Sequence, residues 1–162
     1  MVYLPTNYIR GSILTIKHEL LLNYYEEIAI PTIDEFFQAK TDIRRAKLAM
    51  ICLYHVVDYL KEAKELRISN MLSECSDLKS LSDAANVTKH SVLTKYQPTI
   101  KRVDQIKQKN HAGLFTSPFG EGYFGEANEV YISFNDGLDL EVKRVSNILI
   151  NVKNYFDKII YK

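Results

Sequence analysis

The side chains best suited to chemistry gather in the run Ser82-Asp83-Ala84-Ala85-Asn86-Val87-Thr88-Lys89-His90. On a helix, Asp83, Asn86, Lys89 and His90 stand three or four residues apart, so an acid, an amide, an ammonium and an imidazole share one face. One use of such a face is structural. Asp83 or Asn86 would tie down a loop or a neighbouring helix, Lys89 would pair with a carboxylate, and His90 would sit hydrogen-bonded at the boundary of the core. The other use is chemical: a site for a phosphate-bearing ligand or RNA, with His90 moving a proton and Lys89 stabilising developing negative charge. His55 is a second candidate. It lies among apolar positions, with Asp58 three residues later able to orient its ring. Two histidines without a third ligand do not make a zinc site, so no metal and no cofactor is expected.

Several familiar chemistries find no support. Gly120-Glu121-Gly122-Tyr123-Phe124-Gly125 spells GxGxxG, but a Pro118-containing turn precedes it and a strand pattern follows, where a dinucleotide site needs strand before and helix after. No GxSxG, HExxH or P-loop occurs. Cys52 and Cys75 form no CxxC and no disulfide framework. No run approaches ~20 apolar residues, so no membrane span is expected, and the start MVYLPTNYIRGS does not read as a signal peptide. A cytoplasmic protein is the expectation.

The elements that must position these residues are mostly helical. The chain has 162 residues, 46% of them hydrophobic and 25% charged, which suits one folded domain over 1–162 rather than a disordered segment. Apolar residues recur at helical spacing through 13–37, including Ile16, Leu20, Tyr24, Ile28 and Ile33, with Pro31 marking a kink or break. The segment 41–65 reads as a long central helix capped by Thr41 or Asp42, with Leu48, Cys52, His55, Val56 and Tyr59 as the stripe facing a neighbour. Met50, Leu53, Val57 and Leu60 widen that apolar surface. A short helix is predicted over 66–75, another from Asp77 to about 96, and a further one over 98–111 with Pro98 in its first turn. A Gly- and aromatic-rich loop with a β-hairpin is predicted at about 112–143, its strands EVYISF and LDLEV joined by Asn135-Asp136-Gly137. The helical period resumes at Val145, Ile148, Leu149, Val152, Phe156 and Ile159. The predicted fold is a mainly α, up-and-down helical bundle with a β-hairpin inserted before the C-terminal helix.

Net charge is only +1, so bulk charge says nothing about nucleic acid; its distribution is more telling. Lys89, Lys95, Lys101, Arg102, Lys107 and Lys109 face a single acid, Asp104, over 86–111, whereas 112–142 holds six acids and no Lys or Arg. Either a basic helix lies beside an acidic hairpin and each neutralises the other, or Lys95, Lys101, Arg102 and Lys109 present a nucleic-acid-binding face.

The segment Asp42–Tyr59, followed by SDAANVTKHSVL at 82–93, resembles uncharacterised bacterial members of the HEPN-like superfamily. The matching residues are Arg45, Ala46, His55 and Asp58, then Asp83, Asn86, Lys89 and His90, within roughly 13–110. The resemblance implies a helical bundle, a homodimer through long helices, and a place in a defence or stress system, with a protein partner or RNA as the binding target. Catalytic members are metal-independent ribonucleases with a short Arg-to-His step. Here Arg45 precedes His55 by ten positions and Arg102 precedes His111 by nine. The expectation is therefore a non-catalytic accessory or interaction protein with Asp83, Asn86, Asp58 and Arg45 in its polar cluster. The alternative is a ribonuclease or toxin using His90, Lys89 or His55.

Overall fold

The computed structural model describes residues 6–94, 98–110, 128–134 and 141–162. The chain begins with a long helical rod: α1 (Thr6–Tyr24), one π-helical turn (Tyr25–Ala29) and α2 (Ile30–Phe37). Pro31 does not break this rod. The turn before it bonds from residue i to i+5, with the Ile30 N–H donating to the Tyr25 carbonyl, and widens the helix where the pyrrolidine ring would otherwise crowd the carbonyl four residues back. Thr32 adds a bond from its hydroxyl to the Ile28 carbonyl at 2.6 Å.

After a turn, α3 (Ile43–Lys64) starts at Asp42, whose carboxylate accepts from the Arg44 and Arg45 backbone N–H groups at 2.8 and 3.1 Å. Two of the four orphan donors at the helix start are thereby satisfied. This helix is central, packing against α1, α2, α5 (Ser76–His90) and α6 (Val145–Ile160). Its deeply buried side is Ala46, Ala49, Met50, Leu53, Val56, Val57 and Leu60. The stripe expected to face a neighbour is therefore rotated: Val56 is core, but Leu48 and His55 are exposed and Cys52 and Tyr59 half-buried. The short α4 (Ile68–Glu74) links α3 to α5, and α6 closes the bundle with Val145, Ile148, Leu149, Val152 and Phe156 buried.

The segment 91–111 departs from expectation. The α5 helix stops at His90 rather than near 96, because Ser91 takes a positive φ of 65° and its N–H caps back onto the Val87 carbonyl. The helix expected over 98–111 does not form. A single 3-10 turn (Val103–Gln105) leads into a strand, β1 (Ile106–Asn110). Gln105 holds this path: its side-chain oxygen accepts from the Lys101 and Arg102 backbone N–H groups, and its amide nitrogen donates to the Ser133 carbonyl. The expected hairpin is present as β2 (Asn128–Phe134) and β3 (Glu141–Arg144), and β1 extends it to a three-stranded antiparallel sheet in the order β1-β2-β3. The second strand runs to Arg144, beyond LDLEV, and the Asn135-Asp136-Gly137 turn and the Gly120–Gly125 loop lie outside the described residues. The basic helix beside an acidic hairpin is thus a pairing of strands instead, with Lys109 opposite Glu129 and Ile106 opposite Ile132.

Candidate functional site

His55 stands on α3 against α1. The two helices run antiparallel, since Lys17 meets Glu62 at 2.9 Å while Tyr24, further along α1, meets Cys52 and Tyr59, earlier on α3. The imidazole Nδ1 lies 3.1 Å from an Asp58 carboxylate oxygen, and the other oxygen accepts from Lys61 at 3.0 Å. Tyr24 and Tyr59 stack with centroids 4.5 Å apart, and His55 meets both rings edge-on at 5.4 and 5.6 Å. The Tyr24 hydroxyl donates to the Cys52 carbonyl at 3.1 Å. Burial, and next the Cys52 thiol, push that hydroxyl above its ordinary value near 10, so it stays a neutral phenol.

Along the same two helices several large apolar side chains are exposed. Ile16, Leu20 and Ile28 are 55%, 53% and 46% exposed, and Leu48 on α3 is 40% exposed. With Tyr24 they follow a four-residue step along the rod, which the wider π turn keeps in phase at Ile28. The sequence pattern includes these positions, but as part of a helical stripe indistinguishable from core. Only the arrangement of α2, α3 and α6 around Leu21, Tyr25, Ala29 and Ile33 leaves Ile16, Leu20 and Ile28 outside.

Asp83 belongs to a different place. It is fully buried, and its carboxylate accepts from Lys79 Nζ at 2.8 and 2.9 Å and from the Thr99 backbone N–H and hydroxyl at 2.7 and 2.8 Å. It thereby fastens the segment after α5 to the helix. Asn86 is half-buried, and Lys89 and His90 are exposed at the helix end. None of the contacts of His55 reaches α5. The shared polar centre expected from His55, Asp58, Asp83, Asn86, Lys89 and His90 is accordingly two separate groups, because α3 turns its buried side to the core and His55 to the solvent edge beside α1. Arg45 belongs to neither. It donates to the Glu35 carbonyl at 3.1 Å and approaches Asp42 at 3.5 Å, about 15 Å along the helix axis from His55.

The basic residues divide similarly. Arg102 pairs with Asp104, which holds that carboxyl below its ordinary value, and the Lys101 backbone is engaged by Gln105. Lys109 takes its place on β1, and Lys95 lies outside the described residues. Glu129 is buried beside Lys40 at 3.5 Å and accepts from the Ser146 hydroxyl at 2.7 Å, so this acid of the hairpin is satisfied by α6 and by the turn before α3.

Among the described residues, no three His, Cys, Asp or Glu side chains gather as metal ligands would, and no helix is long and apolar enough to cross a membrane. No family model matches the sequence, and no curated protein and no solved structure matches it either.

Proposed function

We propose that the chain is a non-catalytic, HEPN-like accessory protein that works by pairing with a second copy through the face shared by α1 and α3. The observation that carries this reading is the exposure of Ile16, Leu20, Ile28 and Leu48 around the stacked Tyr24 and Tyr59. Large apolar side chains exposed at a regular step along one helix mark interaction sites more often than single scattered residues do. A second copy fits the rim. Its charges come as neighbouring opposites, Lys17 with Glu62 and Lys61 with Asp58, so a two-fold partner meets both signs and neither side repels the other.

Leu20→Glu tests this. Sedimentation of the wild-type chain should give twice the monomer mass, and the variant should dissociate at least about tenfold more readily with its helix content unchanged. A monomeric wild type, or a variant that pairs as well as wild type, overturns the reading.

A second reading, a metal-independent ribonuclease, draws support from one feature. Asp58 engages Nδ1 of an exposed histidine, which leaves Nε2 as the nitrogen able to exchange a proton with a substrate. Lys89 and His90 lack such an orienting carboxylate among the described residues. On this reading the protein cuts single-stranded RNA in EDTA, and His55→Ala abolishes cutting while His90→Ala spares it. RNA left intact at high protein concentration removes the reading.

A further inference from the structure

We infer that Ser91 is a strained joint with two paths out of it: the turn that ends α5 in this structure, and a continuation of α5 through Thr94 once the Asp83 latch on Thr99 lets go. Two non-glycine residues take a positive φ among the described residues, and they differ in kind. Glu65, at φ 53° and ψ 28°, lies in the left-handed region that commonly ends a helix. Ser91, at φ 65° and ψ −40°, lies outside that region, and across it the Val92 N–H donates to the His90 carbonyl at 2.8 Å. This is a γ-turn of the rare positive-φ form, which strains any residue that carries a Cβ.

Nothing in the local sequence calls for the stop. The run 89–94 holds neither the glycine nor the proline that ordinarily ends a helix. The turn is imposed from outside. The Ser91 carbonyl accepts from the Val103 N–H at 3.0 Å, the Leu93 N–H donates to the Lys101 carbonyl at 2.9 Å, and Val92 bridges Arg102. Beyond them Ile100 is fully buried, and the Asp83 carboxylate holds Thr99 by its N–H and hydroxyl. Strain of this sort persists only where the surroundings over-determine the backbone. Without the latch, the returning segment loses its hold on α5. The Val92 and Leu93 N–H groups then turn to the Thr88 and Lys89 carbonyls, the partners a continuing helix offers, and the strain at Ser91 is relieved. Asp83 thereby decides where its own helix ends.

The test is backbone NMR of wild type, Asp83→Asn, Thr99→Ala and the double variant Asp83→Asn/Ser91→Gly. Asparagine keeps the size of the buried side chain and removes its charge. In Asp83→Asn the Cα shifts of residues 91–94 should move toward helical values, and in Thr99→Ala, which keeps the backbone bond to Asp83, they should move the same way by less. Thr99→Ala carries the test if Asp83→Asn does not fold. Adding Ser91→Gly to Asp83→Asn should return the shifts toward wild type, because glycine removes the strain and resists the helix. Ser91→Gly alone should raise the melting temperature by a few degrees, where glycine in unstrained backbone lowers it. Shifts over 91–94 that stay at wild-type values in both latch variants, or move to those of a disordered chain, overturn the inference. A Ser91→Gly protein that melts at or below wild type removes the strain on which it rests.

Discussion

Asp83 shows how much one buried carboxylate can organise. It accepts from the Thr99 N–H and hydroxyl, sixteen positions away, and from Lys79 on its own helix, and no solvent reaches it. Replacing it with alanine removes the acceptor of the Thr99 N–H and hydroxyl and the carboxylate that Lys79 meets. Asp83→Ala should therefore cost about 3 kcal/mol of stability, measured by urea unfolding. A loss under about 1 kcal/mol would show that the latch contributes little. Local pairings of this kind were partly legible. Spacing along one helix puts Asp58 within reach of His55, and the structure has that contact. The polar character of the Asp83 face was legible too, and one of its two readings was that Asp83 ties down a loop. That Thr99 would be the partner was not legible, since nothing in a sequence marks which residue of a later segment returns to a given helix face.

At the scale of elements, caps and periods served well where the helix was long. Asp42 caps α3 as its residue type suggests, and the hydrogen bonds from the Arg45 and Arg44 N–H groups, with the nearby guanidinium charges, hold its carboxyl below the ordinary value of 3.8. A carboxyl depressed on folding adds stability above its unfolded value, and that contribution fades as pH falls through the folded one. Asp42→Ala should lower the melting temperature by a few degrees at neutral pH, and the gap to wild type should close in strong acid. Asp42→Asn, which keeps a capping oxygen, should melt close to wild type at neutral pH. A gap that persists unchanged in strong acid would assign the effect to something other than the charged cap. Helix periodicity failed where tertiary pairing decides. Residues 106–110, Ile-Lys-Gln-Lys-Asn, form a strand because Gln105 is bound into Ser133 and β2 offers an open edge. Without that edge the same short polar run has no strong preference, and the lysines read as one face of a basic helix. Pro31 was readable as an irregularity, whereas its accommodation by a π turn depends on the packing of Tyr25 and Ala29 in the core.

For the molecule as a whole, α6 decides whether the core closes. Tyr25 reaches it through Asp157 at 2.6 Å, Tyr155 reaches Glu74, and Asn151 and Lys143 meet Asp77, so the last helix and the strand before it are pinned to α4, α5 and the π turn. Phe156 is fully buried at this junction, and Phe156→Ala should cost about 3–5 kcal/mol by chemical denaturation. A cost near that of a surface change would mean the helix docks loosely. The sequence by itself determined the mainly α bundle, the long capped α3, the hairpin before α6 and the amphipathic last helix, because all of these rest on periodicity and local chemistry carried by neighbouring residues. Tertiary structure alone decided that His55 and Asp83 belong to different groups, that β1 is a strand, and that Ile16, Leu20, Ile28 and Leu48 face outward. The physical reason is that a helix with apolar residues on more than one side has several ways to turn inward. Which one is taken depends on the combined packing of neighbours distant in the chain.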